Sequence, residues 1–264
     1  MENLFNVGRI FYGIAIAGLG SLTIYYKEFP YMLIPPNHGW IPGLLTVINI
    51  SGALLVLAGT CIVFEIRTRP VALLLGTALL LLFCFYFIPY EFISTTSYMR
   101  LGEWDNAEKE LALSAGALVI AGHYPGGKEI SFISFLARLI QFGEIIFSIT
   151  IISFGIDHFL YAKDVAEYIP AWIPNRIFWA YLAGAGLLGS GIAILLKIRI
   201  RLFAGLLGTM ILIWFIILHV PKAMAAPASD SGGEVTSAFL ALAYSGIAFA
   251  IVGVNQLAKT DHRQ

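Results

Sequence analysis

The sequence has little charge of either sign. Asp, Glu, Lys and Arg together make up 12% of its 264 residues, and they balance to a net charge of zero. Soluble domains contain about 25% of these residues. No run of basic residues occurs, so nothing in the sequence indicates a nucleic-acid partner.

Cysteine is also scarce. Cys61 and Cys84 are the only two, and both lie in apolar runs without a CxxC or Cys/His pattern. We interpret them as packing residues rather than a disulfide or redox pair. The sequence also lacks the flavin, dinucleotide and iron–sulfur motifs of autonomous oxidoreductases. In any redox process, electrons would therefore have to come from a partner protein.

Hydrophobic residues make up the difference, at 59% of the chain. A soluble domain has about 45–50%, so much of this apolar surface is expected to face the lipid bilayer. At about 20 residues per span, the sequence predicts an all-α membrane protein with eight transmembrane helices, near 8–26, 44–65, 70–90, 107–123, 139–160, 177–197, 201–220 and 236–257. The fourth has the shortest apolar part, because Glu108, Lys109 and Glu110 lie at its start.

The chain repeats itself at a spacing of 132 residues. Residues 40–89 and 172–221 share 19 identities in 50 ungapped positions, among them Trp40 with Trp172 and Pro89 with Pro221. Near the end of each half the spacing is 131. Because each half has an even number of helices, the pattern predicts two four-helix units in a parallel repeat. The predicted units are 1–123 and 138–264, joined by a cytoplasmic linker at 124–137.

Charge predicts the orientation. One side of the predicted membrane holds ten basic residues against four acids, and the other holds six against eleven. The ten are Arg9, Arg67, Arg69, Lys128, Arg138, Lys197, Arg199, Arg201, Lys259 and Arg263. The positive-inside rule then places both termini in the cytoplasm. We expect a multi-pass protein of a bacterial-type plasma (inner) membrane.

Two histidines form the most site-like pattern. His158 closes the fifth predicted helix and His219 closes the seventh, so both lie at the outer boundary, with Asp157 and Trp172 nearby. In the first half His219 corresponds to Phe87, and His158 corresponds to Tyr26 or, if the glycines are aligned, to Thr23. This asymmetry favours a ligand site in the second half and a degenerate first half. The alternative is that each histidine only caps its helix.

A metal site is not predicted from these residues. Two histidines and one acid give only the minimum ligand set of a catalytic zinc site. The sequence contains no HxH or HExxH spacing.

Glu144 is the only acid predicted well inside a span, and on the glycine alignment it corresponds to Arg9. Ionisable groups at membrane depth are costly and need a partner or a function. One interpretation is an intramembrane ion pair between Glu144 and Arg9, which would join the two halves. The other is a proton-relay acid.

The segments FGIDHFLYAKDV and IPAWIPNRIFWAYLAGAGLLGSGIAIL, with the later HVPK, give the chain a family resemblance. Together they resemble DoxX-like integral membrane proteins, strongly in the second half and more weakly in the first. The resemblance implies four-helix membrane units and an association with quinone- or thiol-linked redox systems. It assigns no catalytic residue to His158 or His219.

Two functional hypotheses follow. In the first, His158, His219, Asp157 and Trp172 form an outer-face pocket for a quinone-like ligand. The chain would then be a non-catalytic membrane subunit or partner of an oxidoreductase rather than an autonomous enzyme. In the second, the chain is a transporter or permease-like protein with a path between its two halves. The sequence names neither the ligand nor the partner.

Overall fold

In a computed structural model of the protein, the residues described are 2–35, 41–94, 104–127 and 129–261, and their regular secondary structure is helical throughout. The α-helices are α1 Glu2–Tyr26, α2 Leu44–Val63, α3 Thr68–Leu82, α4 Ile88–Ser94, α5 Asp105–His123, α6 Ser131–Leu136, α7 Gly143–Leu160, α8 Ala162–Tyr168, α9 Arg176–Leu195, α10 Ile200–Trp214, α11 Val220–Ala225 and α12 Gly233–Asp261. Trp40, Lys128 and Arg263, which enter the predictions above, lie outside the described residues.

Seven helices of the described residues are long and apolar enough to cross a membrane: Asn3–Tyr26, Leu44–Val63, Thr68–Ile93, Ser131–Leu160, Arg176–Leu195, Ile200–Ala225 and Ser229–Val254. The prediction of an all-helical protein with long apolar helices is confirmed. The span that begins at Ser131 starts with α6, inside the predicted linker. This architecture is that of a multi-pass membrane protein.

The fourth predicted span forms α5, which is not among those seven. Its first six residues include Asp105, Glu108, Lys109 and Glu110, and the thirteen residues that remain would cover only about 20 Å of the bilayer. Every residue from Ala112 to Ala121 is buried, and α5 packs against α3, α7 and α12. Protein rather than lipid therefore surrounds α5.

Glycines bring the helix backbones into contact. A Cβ on Gly59 of α2 would lie 2.4 Å from the carbonyl oxygen of Gly13 in α1. A Cβ on Gly246 of α12 would lie 2.6 Å from the carbonyl oxygen of Gly8. Close approach of this kind is how helices associate in a lipid environment, where the hydrophobic effect gives no drive.

Several local geometries recur 132 residues apart. Arg67 and Arg199 both have a left-handed backbone immediately before α3 and α10. The chain then forms a π-helical turn at Phe83–Phe87 and again at Phe215–His219. The hydroxyl of Ser114 donates to the carbonyl of Gly76, and that of Ser245, which is 131 residues further on, donates to the carbonyl of Gly208.

We predict that Gly59→Ala lowers the free energy of unfolding by about 1–3 kcal/mol, because the added methyl group meets backbone atoms that cannot move away independently. The matched control is Gly189→Ala in α9, since in the described part of the chain no atom beyond its chain neighbours and its own helix backbone lies within 4 Å of the methyl group it would add. There the better helix propensity of alanine should leave stability unchanged or slightly raised. Unfolding in mixed detergent–SDS micelles measures both. Equal effects would contradict the packing role of Gly59.

Candidate functional site

A cavity of about 690 Å³ lies at the end of the bundle where α7 ends and α9 begins. Its walls come from α7, α8, α9, α10, the second π-helical turn and α12, with two residues from the start of α5. Most of the lining is apolar or aromatic, and Asp164 and Tyr168 on α8 connect it to the surface. The volume is within the range of about 300–1,000 Å³ that is typical of small-molecule sites.

The structure brings three of the four sequence-predicted site residues to this cavity. Asp157, His158 and His219 all line it. The fourth residue, Trp172, does not: its side chain is 73% exposed and is not part of the lining. The tryptophan that does line the cavity is Trp214 at the end of α10.

His158 is held by its own helix and by the neighbouring one. Its Nδ1 lies 2.7 Å from the carbonyl oxygen of Phe154, one turn earlier in α7. Facing it on α9 is Gly184, where an added Cβ would be 2.7 Å from the Cβ of His158. The glycine therefore lets α9 approach α7 at the level of this ring. The hydrogen bond to the Phe154 carbonyl and the close approach of α9 at Gly184 together position the imidazole.

His219 is the last residue of the second π-helical turn. Such turns insert a residue into the helical ladder and often occur at functional sites. Trp214 precedes His219 by five residues, about the hydrogen-bonding interval of a π-helix, so both side chains reach the cavity. In the first half the same turn ends at Phe87, which is fully buried.

The corresponding position to His158 in the first half, on the glycine alignment, is Thr23. It is fully buried, and its hydroxyl donates to Leu19 one turn earlier, as the ring of His158 does to Phe154. The first half therefore keeps the local hydrogen bond but buries small or apolar side chains where the second half presents two imidazoles.

The acids near the cavity differ in their partners. Lys109 forms an ion pair with Asp105, and both line the cavity. Glu108 accepts a hydrogen bond of 2.6 Å from the hydroxyl of Ser153. Both carboxyl oxygens of Asp157 are enclosed without a hydrogen-bond partner among the described residues. No three His, Cys, Asp or Glu side chains in that same part of the chain are placed to hold a metal ion.

Arg9 and Glu144, which one interpretation of the sequence pairs with each other, each form an ion pair with a different residue. Arg9 pairs with Glu65 at 3.3 Å and also donates to the carbonyls of Ile62 and Val63 at the end of α2. Glu144 pairs with Lys197 at 3.4 Å. Each pair joins the first two long helices of one half, with the signs of charge exchanged, so neither joins the halves.

Glu110 is a further anomaly that sequence reasoning passed over. It is fully buried in α5, and neither carboxyl oxygen has a hydrogen-bond partner among the residues described. At the spacing of 131 its counterpart is Ala241, which lines the cavity of the second half. In the sequence, Glu108, Lys109 and Glu110 only shorten the apolar part of a predicted span, although charges next to an apolar stretch are also a signal of polar sites.

No protein-family model, curated protein or solved structure matches this chain.

We predict that Glu110→Leu raises the free energy of unfolding by about 1–3 kcal/mol, because it removes a buried polar group that has no partner in the described residues. The comparison is Glu108→Leu on the same helix, which should lower stability, since the buried hydroxyl of Ser153 loses its acceptor. Unfolding in mixed micelles at neutral pH measures the pair. Destabilisation by Glu110→Leu would mean that its carboxyl is engaged after all.

Proposed function

We propose that this chain is a DoxX-like integral membrane protein whose cavity binds a quinone-like ligand, as the membrane partner of a redox system. The observation that carries the proposal is that His158 and His219, on different helices, line one cavity with Asp157. The remaining wall is largely apolar and aromatic, which suits a planar ring with an isoprenoid-like tail. Imidazoles suit its polar end, because they hydrogen-bond oxygen and exchange protons near neutral pH.

The architecture that we propose consists of two parallel four-helix units, with α5 and α12 as the last helix of each. The 19 identities at the fixed spacing support it. So do the π-helical turns and the left-handed backbone at Arg67 and Arg199, which recur at the same spacing. The exchanged pairs Arg9–Glu65 and Glu144–Lys197 support it too, since they lie at corresponding positions.

The orientation that we propose places both termini in the cytoplasm and the cavity near the outer face of a bacterial-type inner membrane. Its support is the excess of basic residues in the termini and in the connections at the end opposite the cavity. A partner oxidoreductase would contact the chain on one side of the membrane. It would supply the redox centre for which the sequence contains no motif.

A permease-like function is the second proposal. A smaller cavity of about 410 Å³ lies beside the first, lined by residues of both halves such as Glu28 and Asp230. Lys109 and Ser237 line both cavities. A solute path between the halves could join the two there. This function would not require His158 or His219.

We predict saturable binding of a short-chain benzoquinone to the detergent-purified full chain, read by quenching of tryptophan fluorescence, since Trp214 lines the cavity. The double variant His158→Ala/His219→Ala should bind at least about tenfold more weakly, because it loses the hydrogen bond that His219 can donate and the packing of both imidazoles against the ring. Thr23→Ala is the control: it removes the corresponding hydrogen bond in the first half and should bind like the native chain. Undiminished affinity in the double variant, or no binding by the native chain, would contradict the proposal.

A further inference from the structure

We propose that the cavity takes its ligand as a hydrogen-bond donor, so that the preferred form is a hydroquinone-type ring with phenolic hydroxyls rather than the oxidised quinone. The proposal deepens the proposed function and rests on it. Which form binds better depends on which polar atoms of the cavity wall already have a hydrogen-bond partner and which are left for a ligand.

The tautomer of His158 is determined by its backbone contact. A carbonyl oxygen can only accept, so the Nδ1 that lies 2.7 Å from the carbonyl of Phe154 must carry the hydrogen. In the neutral ring Nε2 then has a lone pair and no hydrogen. The only polar atom that His158 has left for the cavity is therefore an acceptor. It can bind a hydroxyl group, but it cannot donate to the carbonyl of a quinone.

Asp157 adds two more acceptor atoms. It lines the same cavity from the preceding position of α7. Both of its carboxyl oxygens are enclosed, and within the described part of the chain no donor reaches either one. An ionised carboxylate accepts only, and leaving it enclosed without a donor is costly. Since both oxygens are enclosed, a ligand hydroxyl would supply the missing donor after the side chain rotates toward the cavity that Asp157 lines.

Several hydrogen-bond donors near the cavity already have an acceptor within the protein. The ammonium of Lys109 is paired with Asp105 and also contacts the side-chain oxygen of Asn106. The hydroxyl of Ser153 donates to Glu108. The hydroxyl of Tyr244 points to the carbonyl of Lys109 at 3.3 Å.

His219 is compatible with both forms of the ligand. A neutral imidazole offers one N–H and one lone pair, and the oxygen of a phenolic hydroxyl accepts as well as donates. Tyr161 and Trp214, which also line the cavity, can donate to either form for the same reason. The difference between the two forms therefore falls on His158 and Asp157. A hydroquinone hydroxyl can donate to either acceptor, whereas the quinone can donate to neither.

The size of the preference follows from the cost of unpaired acceptors. A site built to bind a hydroxyl strongly rejects an analogue that lacks it, because its own polar groups are then buried unpaired. One unpaired acceptor already corresponds to about a tenfold loss of affinity. We therefore expect the hydroquinone to bind at least about tenfold more tightly than the quinone of the same ring and tail.

The test compares three matched ligands on the full chain in detergent by isothermal titration calorimetry, without oxygen: a short-chain hydroquinone, its quinone, and the dimethyl ether of the hydroquinone. The expected order places the hydroquinone first, at least tenfold ahead of the other two, since the ether has the same ring but no donor. Quinone binding as tight as hydroquinone binding overturns this inference and leaves the proposed function standing. Failure of all three to bind overturns both.

Single variants test which residue determines the preference for the hydroquinone over the quinone. Asp157→Asn keeps the size of the side chain but adds an NH₂ donor, so it should narrow the ratio of hydroquinone to quinone affinity by about tenfold. Thr23→Ala should leave the ratio at its native value. An unchanged ratio in Asp157→Asn overturns the assignment of Asp157 as an open acceptor. If that variant does not fold, the three-ligand comparison on the native chain still decides the proposal.

Discussion

Backbone contact at glycine residues is the interaction on which the rest of this bundle depends. In a bilayer, apolar side chains gain nothing by leaving lipid for one another, so helices associate where their surfaces can come close enough for dispersion contacts to accumulate. Gly59 and Gly13 provide such a place between α1 and α2, and Gly8 and Gly246 provide one between α1 and α12. Gly184 likewise lets α9 approach α7, where a Cβ added to it would meet the Cβ of His158.

Positions that correspond in the sequence repeat have different surroundings in the structure. Where the second half has His158, His219 and Ala241 around a cavity, the corresponding residues of the first half are Thr23, Phe87 and Glu110. All three are fully buried. A π-helical turn occurs at both corresponding positions, and it ends at Phe87 in the first and at His219 in the second. The side chain at the end of the turn therefore differs although the local backbone geometry is the same.

Hydropathy predicts the helical membrane architecture from the sequence, because a run of apolar residues is a local feature. The internal repeat singles out His158 and His219, since it supplies a comparison within the chain. Trp172 does not line the cavity with them, and it lies in a turn, where no periodicity predicts the direction of a side chain. Trp214 was missed because helical spacing assumes 3.6 residues per turn, and the π-helical turn changes which residues share a face with His219.

The ion-pair partners in the folded protein are the other feature that the sequence does not predict. The exchanged pairs of Arg9 and Glu144 depend on which helices pack together, and hydropathy does not give that information. Photoaffinity labelling is the most direct test of whether the cavity is a ligand site. An arylazide-substituted hydroquinone should form adducts at cavity-lining residues such as Tyr161, Met210 and Trp214, and excess unlabelled hydroquinone should suppress them. Adducts spread over exposed apolar residues of α2, such as Leu54 and Leu57, without such competition, would contradict it.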